Sequence, residues 1–502
     1  MRLDQLVAGL PGARVVGDAA VEVKGLEYDS RKVDPGSLFF CVVGEKVDGH
    51  EFGARAVEDG AAALVVEREL TELAVPQVVV ESSRAAMAPL AARFWGDPTA
   101  QLRVIGVTGT NGKTTTAFLV REILQAADFR CGLLGTVKQV VGGVEKEVER
   151  TTPEAIELQR TFRQMLEGGD EACAMEVSSH ALSLHRADAI HFEVALFTNL
   201  TQDHLDFHAD MEDYFRAKRK LFEMAPGKRI VNVDDPYGKQ LAKDFECVTF
   251  SVNSEKADLV AHDVRLDSTG ASFEILEWIG NETAAVTETE RPPGGAAHVR
   301  IRLPGRFNVS NALAAFAAAR ALGIGSEIAA AGLAKATRVP GRLEPIDEGQ
   351  EFAVLVDYAH TPDSLENVLG TAREFTEGKL IAVFGAGGDR DRDKRPKMGR
   401  AGAELSDLTV VTSDNPRSED PEAIVAEVAA GAEAAAGASE IEVAVDRRAA
   451  IALALGRAQS GDTVVIAGKG HEQGQEFEGG RKIPFDDREV AREELWKLGT
   501  PA

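Results

Sequence analysis

Residues 106–116 read GVTGTNGKTTT, a glycine-rich stretch that ends in Gly112-Lys113-Thr114. These residue types at this spacing handle phosphate. Backbone N–H groups of a glycine loop and of a helix N-terminus point at phosphate oxygens. A lysine there neutralises the β- and γ-phosphates, and a hydroxyl holds Mg²⁺. In this chain those groups are Lys113 and Thr114, flanked by Gly109, Thr110, Asn111, Gly112 and Thr115. The stretch departs from the plain G-x-x-x-x-G-K pattern, which needs glycine where Val107 stands; the glycines here are Gly106, Gly109 and Gly112. A strand-to-helix turn that is merely glycine-rich is the bland alternative. Lys-Thr directly after the last glycine, at a helix start, argues against it. The expected ligand is a nucleoside triphosphate.

Other residues could serve the same chemistry. Glu176 closes an apolar run, 172–177, and is followed by Ser-Ser-His180; a carboxylate in that position can hold Mg²⁺. Residues 199–208, NLTQDHLDFH, place Asp203, His204, Asp206 and His208 within six positions, in a chain with only 10 histidines. Imidazole and carboxylate are metal ligands and acid–base groups. Residues 214–222, YFRAKRKLF, form a basic helical segment whose bland reading is a solvated face. Further along, 357–363 (DYAHTPD), 385–395 (GAGGDRDRDKR), 412–417 (TSDNPR) and 468–472 (GKGHE) are polar loops, each directly after an apolar run.

The elements that must position these groups can be read from the pattern. Residues 1–98 hold strands at 38–43, 62–66 and 77–80 and helices at 53–59 and 85–94, a small α/β domain ending near Asp97-Pro98. Residues 99–336 begin with the strand 102–107, the phosphate loop and a helix over 115–127 with apolar Phe118, Leu119, Ile123 and Leu124. Strands at 172–177, 194–198 and 230–233 alternate with helical stretches, which implies a P-loop ATPase-type parallel sheet covered on both faces. Segments 272–278 and 298–303 alternate polar and apolar around the loop 291–295, RPPGG, and read as an antiparallel appendage. A helix over 308–322 follows.

Val339-Pro340-Gly341 punctuates the next junction. In 337–502 the strands 352–356, 380–385, 408–412, 441–445 and 463–467 describe a Rossmann-like doubly wound domain, with an alanine-rich helix near 426–438. Its Gly385-Ala-Gly-Gly388 is not a dinucleotide fingerprint, because position 390 is arginine. In such sheets ligands sit at the carboxyl ends of strands, so the four polar loops should converge on one site. The expected fold is α/β with three domains, 1–98, 99–336 and 337–502.

The composition narrows the class. With 502 residues the chain is too long for one core. Its net charge of −25 disfavours a nucleic-acid partner. Cys41, Cys131, Cys173 and Cys247 are scattered without metal-ligand spacing, as expected of inert thiols in a reducing compartment. No targeting pattern opens the chain, and no apolar run approaches the ~20 residues of a membrane span. A cytoplasmic location without membrane contact is expected.

Taken together, GVTGTNGKTTT, EVSSHAL, NLTQDHLDFH, YFRAKRKLF, GRFNVSNAL, VPGRLE and DYAHTPDSL occur in the order found in the Mur ligases, over nearly the whole length. The chain resembles that family of ATP-dependent amino-acid ligases of peptidoglycan synthesis. DNPRSEDP and GKGHE resemble the members that add the third residue, meso-diaminopimelate, to UDP-N-acetylmuramoyl-L-alanyl-D-glutamate. The resemblance implies a domain for the UDP end, a central ATPase and a C-terminal domain for the incoming amino acid, in a monomer. It implies that Lys113 contacts phosphate, that Thr114 and Glu176 hold one Mg²⁺ and that His204 assists a second. It makes Lys218 a carbamylated lysine (N6-carboxylysine), a cation turned into a metal-binding carboxylate. It places Asn308 and Asn311 near the nucleotide base, brings Arg342, Asp357 and His360 to ATP, and gives Ser30, Thr151, Thr152, Ser178 and Arg186 to the UDP-sugar dipeptide. Leu184 departs from the glutamine that related members often carry.

Diaminopimelate differs from lysine by a distal carboxylate, and its site needs a cation to bind that group. Arg417 is the first candidate and Arg390 the second, since guanidinium binds carboxylate bidentately. Asp414 and Glu472 would receive ammonium groups, with Asn415, Pro416 and Gly468 completing the loops. The alternatives are the same ligation with L-lysine, and a P-loop protein that binds nucleotide without ligating.

Overall fold

The strand Arg103–Thr108 is buried from its second residue onward, as suits an apolar run without alternation. In the computed structural model it lies at the centre of an eleven-stranded sheet. The structure describes all residues except 45–46, 147, 149, 206, 255, 278–295, 337–338, 436–438 and 500–502. Ala172–Glu176 and Phe192–Phe197 pair with Arg103–Thr108 in parallel, one on each side, and the register sets Glu176 beside Val107. Cys131–Leu134 extends the parallel part on one flank, and Lys228–Asn232, Val248–Ser251 and Leu259–Asp267 extend it on the other.

Helices cover both faces. Ile105 and Val107 pack with Leu119, Ile123, Leu313 and Phe316 on one side. Val104, Met175 and Ala195 pack with Phe162, Phe215 and Phe222 on the other. The expected appendage is present as the antiparallel strands Gly270–Glu277 and Ala296–Ile301, and it continues the main sheet through Leu259–Asp267. Position 278 and the loop 291–295 lie outside the described residues.

A separate five-stranded sheet precedes it, ordered Arg14–Val16, Gln77–Val79, Ala63–Val66, Ser37–Phe40, Gly25–Glu27, and parallel except for its first strand. The third sheet has six strands: Glu344–Pro345, Ala353–Asp357, Thr463–Ala467, Leu380–Phe384, Leu408–Val411 and Glu440–Val443. All but Glu344–Pro345 are parallel. The last strand in sequence lies between the first two long ones, so the strand order reverses there. That reversal opens the crevice at which ligands bind.

Three details differ from the pattern. The phosphate-loop helix spans Lys113–Ala126, so Lys113 is its first residue; Gly112, at φ 85°, is the N-cap. The alanine-rich helix is Pro421–Glu433, because Asp420 accepts the Glu422 N–H and Pro421 opens the first turn; of its expected span, 436–438 lies outside the described residues. Two hairpins were not among the expected elements: Gln139–Val141 with Val144–Lys146, turned by Gly142 and Gly143 at positive φ, and Gly474–Glu476 with Lys482–Pro484. No described helix is long and apolar enough to cross a membrane.

Candidate functional site

The phosphate loop is held by the segment after Phe192–Phe197. Thr198 Oγ1 donates to the Asn111 carbonyl at 2.6 Å, and the Asn111 N–H donates to Asn199 Oδ1 at 2.9 Å. The Thr201 N–H donates to Thr110 Oγ1 at 3.0 Å. Gly109 and Gly112 stand at positive φ, and a Cβ on either would collide with Thr198 Oγ1 or Asn311 Oδ1. Lys113 Nζ folds back on its own loop, at 2.9 Å from the Gly109 carbonyl and 2.7 Å from that of Thr110.

Buried groups surround this lysine. Thr114 Oγ1 donates to Glu176 Oε2 at 3.0 Å. Glu176, 1% exposed, also accepts from the N–H and hydroxyl of Thr136. Lys218, on the helix Met211–Met224, is 1% exposed and donates to the Gly109 carbonyl at 2.7 Å. The solvated-face reading of residues 214–222 is therefore corrected: Tyr214, Phe215, Lys218 and Phe222 form the buried side of that helix. Burial, reinforced by Lys113, pushes the Lys218 ammonium well below the ordinary lysine range. His204 sits at φ 54°, its ring packed edge-on to His180 and Tyr214. Burial holds its imidazole below the usual value, with Asp203 opposing. Asp206 lies outside the described residues.

Asn308 and Asn311 are buried at the start of the helix Arg306–Ala321. Asn311 accepts from Thr116 at 3.4 Å and donates to Asn308 at 3.1 Å, so the Asn311 amide meets the first turn of the neighbouring helix while Asn308 also donates to the Pro304 carbonyl. From the third sheet, Arg342 Nη2 reaches Thr114 Oγ1 at 3.3 Å, while its guanidinium covers the Tyr358 ring. Asp357 accepts the Leu343 and Ala359 N–H groups and shapes that turn. The exposed His360 bonds the Tyr358 carbonyl.

On the far side of Glu176 lie the residues expected to meet the UDP-substrate. Thr152 Oγ1 donates to the Glu176 carbonyl and lies 3.4 Å from Ser178 Oγ. Thr151 meets Thr136 at 3.1 Å. Arg186 pairs with Glu154 at 2.9 Å and donates to the Thr152 carbonyl. Leu184 caps the short helix Ser179–Ser183. Ser30 begins the turn Ser30–Lys32 of the first unit, which is tied to the helix Ala155–Glu167 by Tyr28 and Glu157.

The loops of the third sheet converge at its carboxyl edge. Asn415 Nδ2 donates to Glu472 Oε2 at 2.9 Å, and the fully buried Lys469 donates to both Asn415 and Glu472. Burial alone would raise the Glu472 carboxyl; Lys469 and Asn415 outweigh it and lower it. Gly468, at φ 122°, has no room for a Cβ because Asp414 lies against it. Arg417, following Pro416 and at φ 53°, donates to Glu476 at 3.2 Å and to the Gly388 carbonyl at 2.6 Å. Arg390 is exposed on the adjoining loop.

Several residues of this site escaped sequence reasoning. Asp363 accepts from Asn111 at 3.1 Å and from Thr201 at 2.9 Å, joining the third unit to the phosphate loop. Arg447 and Asp487 form a fully buried ion pair at 2.7 Å, and Arg447 donates to the Ala467 and Ser413 carbonyls, just ahead of Gly468 and Asp414. Asp363 and Lys469 stand inside motifs that drew attention; Arg447, Asp487 and Glu476 carry no local signal.

Known proteins share the sequence family and the fold of this chain. The Mur ligase middle domain profile matches residues 107–319, the Mur ligase glutamate ligase domain matches 341–470, and the Mur ligase family catalytic domain matches 22–95. A curated UDP-N-acetylmuramoyl-L-alanyl-D-glutamate–2,6-diaminopimelate ligase from Geobacillus thermodenitrificans is 46% identical over 98% of this chain and 99% of its own. A solved structure of an enzyme of that same name aligns over 100% of both chains, at 30% identity and a TM-score of 0.71. The fold is also that of the MurF ligase from Thermotoga maritima in complex with ADP, with a TM-score of 0.62 at 20% identity over 95% of this chain and 97% of that one. The chain belongs to the Mur ligase family.

Proposed function

We propose that the chain joins meso-2,6-diaminopimelate to UDP-N-acetylmuramoyl-L-alanyl-D-glutamate with ATP, in the cytoplasm, as a step of peptidoglycan precursor synthesis. The observation that carries this is the meeting of a phosphate loop with a polar site on a second sheet, bridged by Arg342 to Thr114 and Asp363 to Asn111. A nucleotide-binding protein without ligation leaves the loops at 412–417 and 468–472 without a task.

In this reading the three units are 1–98 for the UDP end, 99–336 for ATP and 337–502 for the amino acid. The loop N–H groups of residues 109–115 and Lys113 hold the phosphates. Thr114 and Glu176 offer a hydroxyl and a carboxylate, the oxygen donors that suit Mg²⁺. Among the described residues no group of three His, Cys, Asp or Glu side chains is placed to hold a metal ion. When bound, Mg²⁺ neutralises charge on the phosphoryl oxygens. His204 and Lys218 flank the same loop. Lys218 meets the requirement for carbamylation, which consumes the neutral amine: its burial beside Lys113 disfavours the ammonium. Asn311 lies against Gly112 of the phosphate loop and bonds Asn308, and in this reading the two amides serve the nucleotide-base region.

The substrate carboxylate attacks the γ-phosphorus and ADP leaves, giving an acyl phosphate. The amine of diaminopimelate then attacks the acyl carbon and inorganic phosphate leaves. Lys113 and Arg342 stabilise the transferring phosphoryl group, while Thr151, Thr152, Ser178 and Arg186 place the carboxylate. Asp414 and Glu472 receive ammonium groups of the amino acid, and Arg417 receives its distal carboxylate. The test is ligation of purified UDP-N-acetylmuramoyl-dipeptide with a panel of amino acids. ADP release that requires diaminopimelate supports the reading; ADP release independent of any amino acid overturns it, and preference for L-lysine reassigns the substrate.

A further inference from the structure

Arg417 is the cation to which the distal carboxylate is assigned, yet its own loop does not fix its guanidinium. The hairpin Gly474–Glu476 with Lys482–Pro484 does, together with the Gly388 carbonyl of the neighbouring loop. Gln475 donates to the Asp414 carbonyl at 2.5 Å, and the Glu476 N–H donates to Asn415 Oδ1 at 2.9 Å. The Arg417 N–H donates to the Glu476 carbonyl at 3.0 Å, and Arg417 Nε donates to Glu476 Oε2 at 3.2 Å. One strand thus laces the whole segment 414–417, which connects to it only through the fold.

The donor count on Arg417 shows what this leaves open. A guanidinium has five N–H donors. Glu476 takes the one on Nε, and the Gly388 carbonyl takes one on Nη1 at 2.6 Å. Among the described residues no acceptor bonds Nη2, so both its hydrogens, with the second Nη1 hydrogen, are left for a carboxylate. The Nε edge, the other bidentate face, is closed by Glu476. Gly387 leaves room for this arrangement, since a Cβ there would stand 3.0 Å from Arg417 Nη1. The Arg417 side chain is 24% exposed and that of Glu476 33%, so the pair is worth little as a stability element.

We propose that Glu476 is a specificity-determining positioning residue: it holds Arg417 with one bidentate edge presented to an anionic amino-acid side chain, and so sets the preference for a substrate with a distal carboxylate over one that ends in an ammonium alone. This rests on the diaminopimelate reading above. The chemistry follows from geometry: a pre-oriented guanidinium loses less freedom on binding than one that must be ordered by its ligand.

The experiment measures ligation kinetics with meso-diaminopimelate and with L-lysine for the parent, Glu476→Ala, Glu476→Gln, Arg417→Ala and the double variant, with thermal melting as a folding control. Glu476→Ala should raise the KM for diaminopimelate about tenfold, leave the KM for ATP in place and narrow the preference over lysine by a similar factor. Glu476→Gln, which keeps the acceptor, should recover most of the loss. In the Arg417→Ala background Glu476→Ala should add nothing, because its effect runs through that guanidinium. Additive losses, an equal loss with both amino acids, or a KM that falls because Glu476 competes with the substrate carboxylate would each overturn the proposal. A parent that uses lysine as well as diaminopimelate, or an Arg417→Ala variant with unchanged preference, would instead overturn the substrate reading on which it stands.

Discussion

Thr114 and Glu176 lie 62 residues apart and meet through a 3.0 Å hydrogen bond in the protein interior. Two adjacent parallel strands make this possible: Glu176 ends one, and Thr114 follows the loop that leaves the other. The hydroxyl and the carboxylate are thereby fixed before any ligand arrives. Pre-placed oxygens of this kind need no reorganisation at the moment of phosphoryl transfer.

Lys113→Ala should abolish ligation. Its ammonium is the one cation on the first turn of the phosphate-loop helix, and removing a charge contact of this kind lowers the rate by ~10²-fold or more. An unchanged melting temperature alongside the loss would locate the effect in the chemistry. Near-normal turnover would remove the phosphate loop from the mechanism.

Lys218→Ala should be almost inactive and partly restored by a small carboxylic acid added to the assay. The rescue follows if the missing group is a carbamate rather than an ammonium. Mass spectrometry under native conditions offers a second check through the added mass of CO₂. An unmodified amine in the active protein would exclude the modification.

Arg417→Ala should raise the KM for diaminopimelate and narrow its advantage over lysine. A pre-placed cation left without its anion disfavours the analogue that lacks the carboxylate, and the variant loses that penalty. Equal kinetics with both amino acids before and after substitution would count against it.

Asp363→Ala should raise the KM for ATP several-fold, by about 1 kcal/mol of lost hydrogen bonding, while the KM for the amino acid moves less. Its carboxylate ties Asn111 and Thr201 to the third unit. Small-angle scattering should show weaker nucleotide-dependent compaction in the variant. Identical compaction and KM would make the contact incidental.

Arg447→Met should destabilise the protein by about 3–5 kcal/mol, since Asp487 would remain buried without a partner. The double change Arg447→Met with Asp487→Leu should recover much of that stability without restoring amino-acid affinity, because the Ser413 and Ala467 carbonyls stay unanchored. Chemical denaturation separates the two effects.

The sequence spoke clearly where one short stretch both forms an element and carries the chemistry. The phosphate loop, the Glu176 strand end and the four loops of the third sheet were legible because glycine, proline and apolar periodicity mark them locally. The burial of Lys218 was not, since YFRAKRKLF mixes four charges with five apolar residues, and the Gly109 carbonyl and the Tyr214 ring that receive Lys218 carry no mark in that stretch. Asn308 and Asn311 illustrate a second limit. Their helix was expected, but its direction toward Gly112 depends on packing between helices distant in sequence. Glu476 and the Arg447–Asp487 pair were invisible for the same reason, as each acts on a loop tens of residues away.

The buried Arg447–Asp487 pair also imposes an order on biosynthesis. Asp487 opens the helix Asp487–Gly499, so the loops at 413 and 467 lack their anchor until that helix has left the ribosome and docked. The phosphate loop, in contrast, rests on strands made hundreds of residues earlier. A chain interrupted before residue 487 would therefore leave Arg447, the residue that donates to the Ser413 and Ala467 carbonyls, buried without its carboxylate.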